Sequence, residues 1–373
     1  MAIATSYFQN LANSLSLQFI IDNSQENLEM QSFWRKMLRL GVPQMSLTFD
    51  SAIGRDRIAA AASIVDSDAP APLRSRKTIE RYSGKIPAIK EKFRMNQDDM
   101  RALEVLKALP INGGGSAEAL ISFLTSDIQE AAVSGDKRID FMLMQQLSTL
   151  TVDVSATNNP DGIVLGVVDL LAKVYQKQGV PVVWSDTVNA DPITDILTFT
   201  QWVRKTKGRS FGKVLMSFDL WINFMNCAKV QSKLIAYFNI GKQAATFAVT
   251  IENVNMYLTS NKLPNIEVID HITHIEVDGK PTFLSPFDVN AVSFVPATDK
   301  LGTLHNAISM EKLHPVAGKS YAEFGPTLLS KWSNDDPLVE FTGIEMNAFP
   351  MVDIDNIFIL TTNVVKAAFS DVV

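Results

Sequence analysis

The chain has one cysteine in 373 residues, Cys227, which excludes an intramolecular disulfide framework and a cysteine-rich metal site. Histidines number only four. His271 and His274 are three apart, a spacing that puts them on opposite faces of a strand, and His305 and His314 stand alone. No apolar run approaches the ~18 residues that crossing a bilayer requires. The opening residues lack the basic, then apolar, then small-residue order of a signal peptide, so the expected setting is a reducing cytoplasm. Basic charge is not in excess: 34 Lys and Arg face 40 Asp and Glu, for a net charge of −6. Overall charge therefore does not describe a nucleic-acid binder.

Signatures of chemistry are equally scarce. Gly318-Lys319-Ser320 resembles the end of a phosphate-binding loop, but the glycine required five residues earlier is Leu313. Gly113-Gly114-Gly115 precedes a helical pattern and could cradle an anion at a helix start; a joint between helices is the simpler reading. Asp353 and Asp355 lack calcium-loop spacing and read as turn residues. Cys227 sits within a helical pattern and reads as a buried thiol, not a nucleophile. No catalytic, cofactor-binding or metal-binding residue emerges, and none is expected.

What the chain does have is apolar content and long elements. Hydrophobic residues make up 46 % and mean hydropathy is +0.08, which suggests large buried contacts with other chains. The length allows two or three structural units. Residues 116–149 read as one long helix. Ser116 is a natural N-cap, and Leu120, Phe123, Leu124, Ile128, Ala131, Ala132, Ile139, Met142, Leu143 and Leu147 recur at helical spacing. Unbroken, it would run about 50 Å at 1.5 Å per residue. It needs a partner surface along most of that length. Gly135 weakens its middle and marks a bend in this reading.

Residues 1–44 read as an arm whose helix spans about 25–40, capped at Asn23-Ser24. Its Phe33 and Trp34 cannot be buried within the arm and must pack elsewhere. Residues 45–96 read as a projecting hairpin with strands near 45–50 and 77–82. Its C-terminal limb is basic, with Arg74, Arg76, Lys77, Arg81, Lys85, Lys90, Lys92 and Arg94. A helix follows from Asn96 to about Leu106. After the long helix, strands at 150–154 and 163–168 flank a turn. Residues 186–330 read as a separate mixed unit, with helices at 192–207, 218–230 and 250–258. Its strands are expected at 214–217, 266–269, 274–277 and 292–295. Apolar runs at 338–344 and 357–361 close the chain. Residues 331–373 are acidic, with Asp335, Asp336, Glu340, Glu345, Asp353, Asp355 and Asp371 against Lys331 and Lys366.

An arm, a hairpin, a rod and a compact unit suit a tile more than an enzyme, because arms exchange surface with neighbours and repeated heterologous contacts can close into shells. The segment 332–342, WSNDDPLVEFT, followed by Ala348-Phe349-Pro350-Met351-Val352 and 353–360, resembles the closing strands of lambda-type tailed-phage major capsid proteins, the capsid protein E family. The ordered parts resemble that family from about residue 45 to 362. They include Arg81-Tyr82-Ser83-Gly84-Lys85-Ile86-Pro87, the long helix running into a hairpin, Leu263 to Val268, and Val295-Pro296-Ala297 ahead of Gly302-Thr303-Leu304-His305. The family usually has a glycine just after the long helix; this chain reads Leu147-Ser148-Thr149-Leu150.

The resemblance implies an α+β fold of the Hong Kong 97 type. On it, 1–44 is the N-terminal arm, 45–96 the extended loop and 97–185 the peripheral domain with its spine helix. Residues 186–330 would be the axial domain, and 331–373 strands returning to the peripheral domain. It further implies a non-enzymatic major capsid protein, assembled in a bacterial host cytoplasm and resident in the virion. That protein would join itself in pentamers and hexamers and meet scaffolding, portal and decoration proteins. It would enclose a double-stranded DNA genome without sequence-specific binding and would touch no membrane. Candidate subunit-interface residues are Arg74, Arg76, Lys77, Arg81, Lys85, Phe33, Trp34, Asp335, Asp336 and Glu340, with the basic limb bridging to an acidic surface of a neighbour. Two rival readings are an encapsulin-like shell around an enzyme cargo and a soluble enzyme built on 186–330.

Overall fold

The computed structural model describes residues 3–4, 13–53, 80–108, 115–238, 249–277 and 280–370. The chain opens with β1 (Ile3–Ala4), then α1 (Ser14–Met30), α2 (Trp34–Met37) and β2 (Leu38–Leu40). The single helix expected over 25–40 is thus two helices and a strand. Asn13, not Asn23, is the cap: its side chain accepts the Ser16 N–H at 2.7 Å. The buried stripe of Leu17, Ile21 and Leu28 carries the helix back to Ser14, beyond the reach of a pattern counted from Leu28.

Next come β3 (Thr48–Ile53), β4 (Glu80–Lys85), β5 (Ala88–Met95), α3 (Gln97–Ala108) and α4 (Gly115–Thr149). The long helix agrees with the expected 116–149 to within one residue, and Gly135 lies inside it as one continuous element. Beyond it lie β6 (Thr151–Val154), β7 (Gly166–Asp169), a 3-10 turn (Val174–Gln176), β8 (Lys177–Val180) and α5 (Pro192–Lys207). Then follow β9 (Lys213–Ser217), α6 (Phe218–Asn226), α7 (Ala228–Tyr237), α8 (Ile251–Ser260), β10 (Asn265–Ile269), β11 (Thr273–Val277), β12 (Lys280–Leu284) and β13 (Ala291–Val295). The chain closes with β14 (Gly302–Ala307), α9 (Met310–Leu313), β15 (Ser320–Phe324), β16 (Thr327–Asp335), β17 (Leu338–Val352) and β18 (Phe358–Val365). The helix expected over 218–230 is split at Cys227, whose extended backbone (ψ 122°) ends α6 and starts α7.

The chain forms two compact units. The first takes described residues from Met1–Phe49, Ser83–Leu143 and Gly302–Met351. Its seven-stranded sheet runs β1-β16-β17-β14-β2, with β15 also on β16 and β5 also on β17. Leu17, Ile21 and Leu28 of α1 share a core with Ile128, Ala131, Ala132 and Val133 of α4 and with Phe324, Leu329 and Ile344 of the sheet. A Cβ on Gly135 would lie 2.6 Å from the Met346 terminal methyl, so the glycine lets β17 come close to the helix.

The second unit takes described residues from Asp50–Tyr82, Met144–Leu301 and Val352–Val373. Its five-stranded sheet runs β10-β9-β13-β18-β8, with β10 parallel to β9 and β8 parallel to β18. Trp184, Phe199, Phe224, Phe294 and Phe358 fill one core with residues of α5 to α8. Asp191 caps α5 by accepting the Thr194 N–H, Pro192 occupies its first turn, and Gly208 at φ 64° closes it.

These units cut the chain differently from the expected 97–185, 186–330 and 331–373. Strand pairing is the reason. β14, β15 and β16 join the sheet of the first unit, so 302–330 leaves the expected axial segment. β18 pairs with β13 and β8, so the closing strand belongs to the second unit. The expected hairpin over 45–96 is also divided: β3 pairs with β4, whereas β5 pairs with β17, from Ala88↔Asn347 to Met95↔Glu340.

The missing glycine after the long helix has a structural counterpart. Leu150 adopts φ 55° and its N–H donates to the Gln146 carbonyl at 2.9 Å, closing the helix in the left-handed conformation glycine normally supplies. That conformation costs a non-glycine residue roughly 1–2 kcal/mol. Complete burial of the Leu150 side chain offsets it.

Candidate assembly surfaces

Asp136 and Asp140 stand one turn apart on α4, both fully buried. Asp140 accepts the backbone N–H groups of Phe33 at 2.9 Å and Trp34 at 2.6 Å. Asp136 accepts from the Ser32 hydroxyl at 2.7 Å and from Arg35 Nε at 2.8 Å. The Arg35 guanidinium also lies over the rings of Trp34, at 4.7 Å, and Phe324, at 4.3 Å. Burial pushes the Asp140 carboxyl up to about 7 against the opposing pull of the two N–H donors. Burial raises Asp136 as well, with Arg35 opposing. This clasp holds the turn before α2 onto the long helix. Trp34 is 2 % exposed and Phe33 half-buried, and the backbone N–H groups of both are held by Asp140 of the chain's own α4. The signal was present in the sequence: two aspartates, four apart, between Ala132, Ile139 and Leu143 on an apolar stripe.

Arg74, Arg76 and Lys77 lie outside the described residues. Arg81 is exposed and its Nε donates to Asp50 Oδ1 at 2.8 Å across the β3–β4 pair. Lys85 is exposed at the end of β4. Farther along the basic limb, β5 spends cations inside its own unit. Lys90 Nζ is 3.4 Å from Glu345 Oε2, and Lys92 Nζ lies 5.7 Å from the Trp332 ring centre.

The acidic candidates divide in the same way. Asp335 and Asp336 are exposed at the β16–β17 turn. Glu340 is 1 % exposed and forms a buried ion pair with Lys331, Nζ to Oε1 3.5 Å, so it is not a surface acid. Lys331 on β16 lies opposite Thr342, two residues from Glu340 on β17, so both side chains share one buried face, where each needs the other.

The remaining motifs resolve into structural roles. Lys319 pairs with Glu311 at 3.0 Å and lies over Trp332, with Gly318 at φ 87° turning the chain into β15. Cys227 is buried, its thiol donates to the Asn223 carbonyl, and burial pushes it up to about 11, far from a nucleophile's range. The His274 ring lies tilted against Phe283, with ring centres 5.9 Å apart. Among the described residues no group of three His, Cys, Asp or Glu is placed to hold a metal ion. No described helix is long and apolar enough to cross a membrane.

No protein-family model matches the chain, and no curated protein matches it. Among solved structures, a chain described as a prophage capsid protein from E. coli CFT073 superposes with a TM-score of 0.55 at 12 % identity, covering 94 % of this chain and 98 % of that one. The fold is the Hong Kong 97-type capsid fold. The α+β class and the long central helix expected from the resemblance are thereby found. Two looser likenesses are a phage-related protein from Bordetella bronchiseptica RB50 and the capsid of cyanophage A-1(L). The first has a TM-score of 0.45 at 9 % identity over 99 % of this chain and 100 % of that one. The second has a TM-score of 0.44 at 14 % identity over 97 % and 96 %.

Proposed function

We propose that the chain is a major capsid protein, many copies of which assemble into the icosahedral head shell around the double-stranded DNA of a tailed phage or prophage. One observation carries this reading: a capsid-type fold spans 94 % of the chain, and 98 % of the prophage protein it resembles. The chain acts as a structural component of the virion, built in the bacterial host and not an enzyme. Its copies form pentamers and hexamers through summed interface area, and scaffolding, portal and decoration proteins complete the head. Net charge of −6 suits a wall that confines DNA without gripping phosphates.

Within that shell, Arg74, Arg76, Lys77 and Lys85 of the extended loop bridge to the exposed Asp335 and Asp336 of a neighbour. Charge reversal at Arg74, Arg76 and Lys77 is expected to impair assembly, and normal shells from that variant would contradict the bridge. The shell function itself is tested by the contents of purified particles. Double-stranded DNA inside particles from the producing host supports it; a single enriched enzyme in its place would point to an encapsulin-like compartment.

A further inference from the structure

We propose that the β6–β7 hairpin of one copy docks against the β2 edge of a second copy, joining an acidic apolar ribbon to a basic apolar one. The proposal rests on the shell reading and names one contact within it.

Both surfaces are unfinished sheets. Among the described residues β6 and β7 pair only with each other. An isolated two-stranded ribbon is marginal on its own. It nevertheless presents Ile163 at 66 %, Val164 at 60 % and Val167 at 67 % exposure. β2 is the last strand of its sheet. Residues 41–44 continue its path, with Gly41 N–H donating to the Leu304 carbonyl and Gln44 N–H to the Asn306 carbonyl. Exposed apolar residues along this stretch are Leu40, Val42 at 89 % exposure, Met45 and Leu47. Exposed apolar edges of this kind recruit another strand.

Charge selects the pairing. Residues 151–171 contain Asp153, Asp161 and Asp169 and no Lys or Arg. Residues 35–47 contain Arg35, Lys36 and Arg39 and no Asp or Glu. Arg35 is engaged with Asp136, while Lys36 and Arg39 are exposed. Neither surface complements itself, because like charges would face each other. Each complements the other in charge, and both present exposed apolar side chains, Ile163, Val164 and Val167 on one and Leu40, Val42, Met45 and Leu47 on the other. Two different patches on one chain make a heterologous contact, which repeats from copy to copy and closes when the rotation permits. A second copy is therefore the occupant that both surfaces share.

The test is disulfide trapping. The native Cys227 is buried and does not compete. Val42→Cys and Val164→Cys variants are co-expressed, the particles are oxidised, and non-reducing electrophoresis with peptide mass analysis reads the products. The expected result is a cross-linked dimer holding one residue of each kind, absent when either variant is expressed alone. The double variant gives a ladder of linked copies. Arg39→Glu lowers the yield about threefold, as loss of an exposed ion pair does, and Asp161→Arg restores it. Met45→Cys with Ile163→Cys repeats the trap if the first pair does not fold. Particles that form normally without the mixed cross-link from either pair overturn the docking and leave the shell reading standing. A double variant that links only within one chain overturns the docking in the same way. A wild-type chain that forms no particles overturns both.

Discussion

Replacing Asp140 by Asn tests whether the clasp between α4 and the residues before α2 is governed by a carboxyl that prefers to be neutral. The carboxyl sits near 7 when folded against an ordinary 3.8. At about 1.4 kcal/mol for each pH unit between folded and unfolded midpoints, the folded clasp is favoured by up to roughly 4 kcal/mol more when protonated than when ionised. The sign follows from the raised value. Below about pH 4 both states hold the proton and no penalty applies. As pH rises from 4 to 7 the unfolded state ionises freely while the folded state resists, so stability falls across that window and levels off above it. Arg35 and Asp136 are the charged groups that face Asp140, and their opposing effects belong to the same value. Amide hydrogen exchange of the peptides covering Ser14–Met37, corrected for intrinsic rates, reads the local opening at pH 5 and pH 8. Wild type should open more readily at pH 8, by up to about a hundredfold. Asp140→Asn should lose most of that difference, and at pH 5 should cost about 1 kcal/mol because its amide accepts at only one atom. Equal or greater protection of the wild type at pH 8 would refute the reasoning, since the two backbone donors would then outweigh burial.

The buried Lys331–Glu340 pair gives a second prediction. Glu340→Gln leaves the ammonium buried with the nearby Asp127 as its remaining counter-charge and should lower stability by about 3 kcal/mol. The double change Lys331→Met with Glu340→Leu should recover most of that loss, as measured by denaturant unfolding. Two glycines separate backbone from side-chain crowding. A Cβ on Gly212 would meet the Ala297 Cα at 2.4 Å, which cannot yield, so Gly212→Ala should destabilise the second unit by at least about 2 kcal/mol. A Cβ on Gly135 would come too close only to the flexible end of Met346, with Thr327 and Ile344 at ordinary contact distance, so Gly135→Ala should lie within about 1 kcal/mol of wild type. Thermal melts of the two variants side by side would show the contrast.

Strong periodicity made much of the fold legible. The long helix, α5 from Pro192 to Lys207 and β9 were readable because each is framed by a cap, a proline or a glycine and repeats a buried stripe. Cross-chain pairing was not readable. Nothing local in 88–95 says that it will lie on β17, and nothing in 358–365 says that it will leave the acidic C-terminal segment for β13. The assembly residues divided for the same reason. Glu340 reads as a surface acid until its strand partner shows the buried Lys331 beneath it. Trp34 reads as a subunit-interface residue until Asp140 is seen to hold its N–H. Leu150 hid the helix end because a buried leucine occupies a backbone conformation that the sequence signals through glycine.

Sedimentation of the purified wild-type chain, with negative-stain microscopy of the same fractions, tests the shell assignment most directly. Closed hollow particles containing many copies of the 41.2 kDa chain are the expected result. A single species at 41.2 kDa across concentration and salt, with no particles in the micrographs, would contradict it.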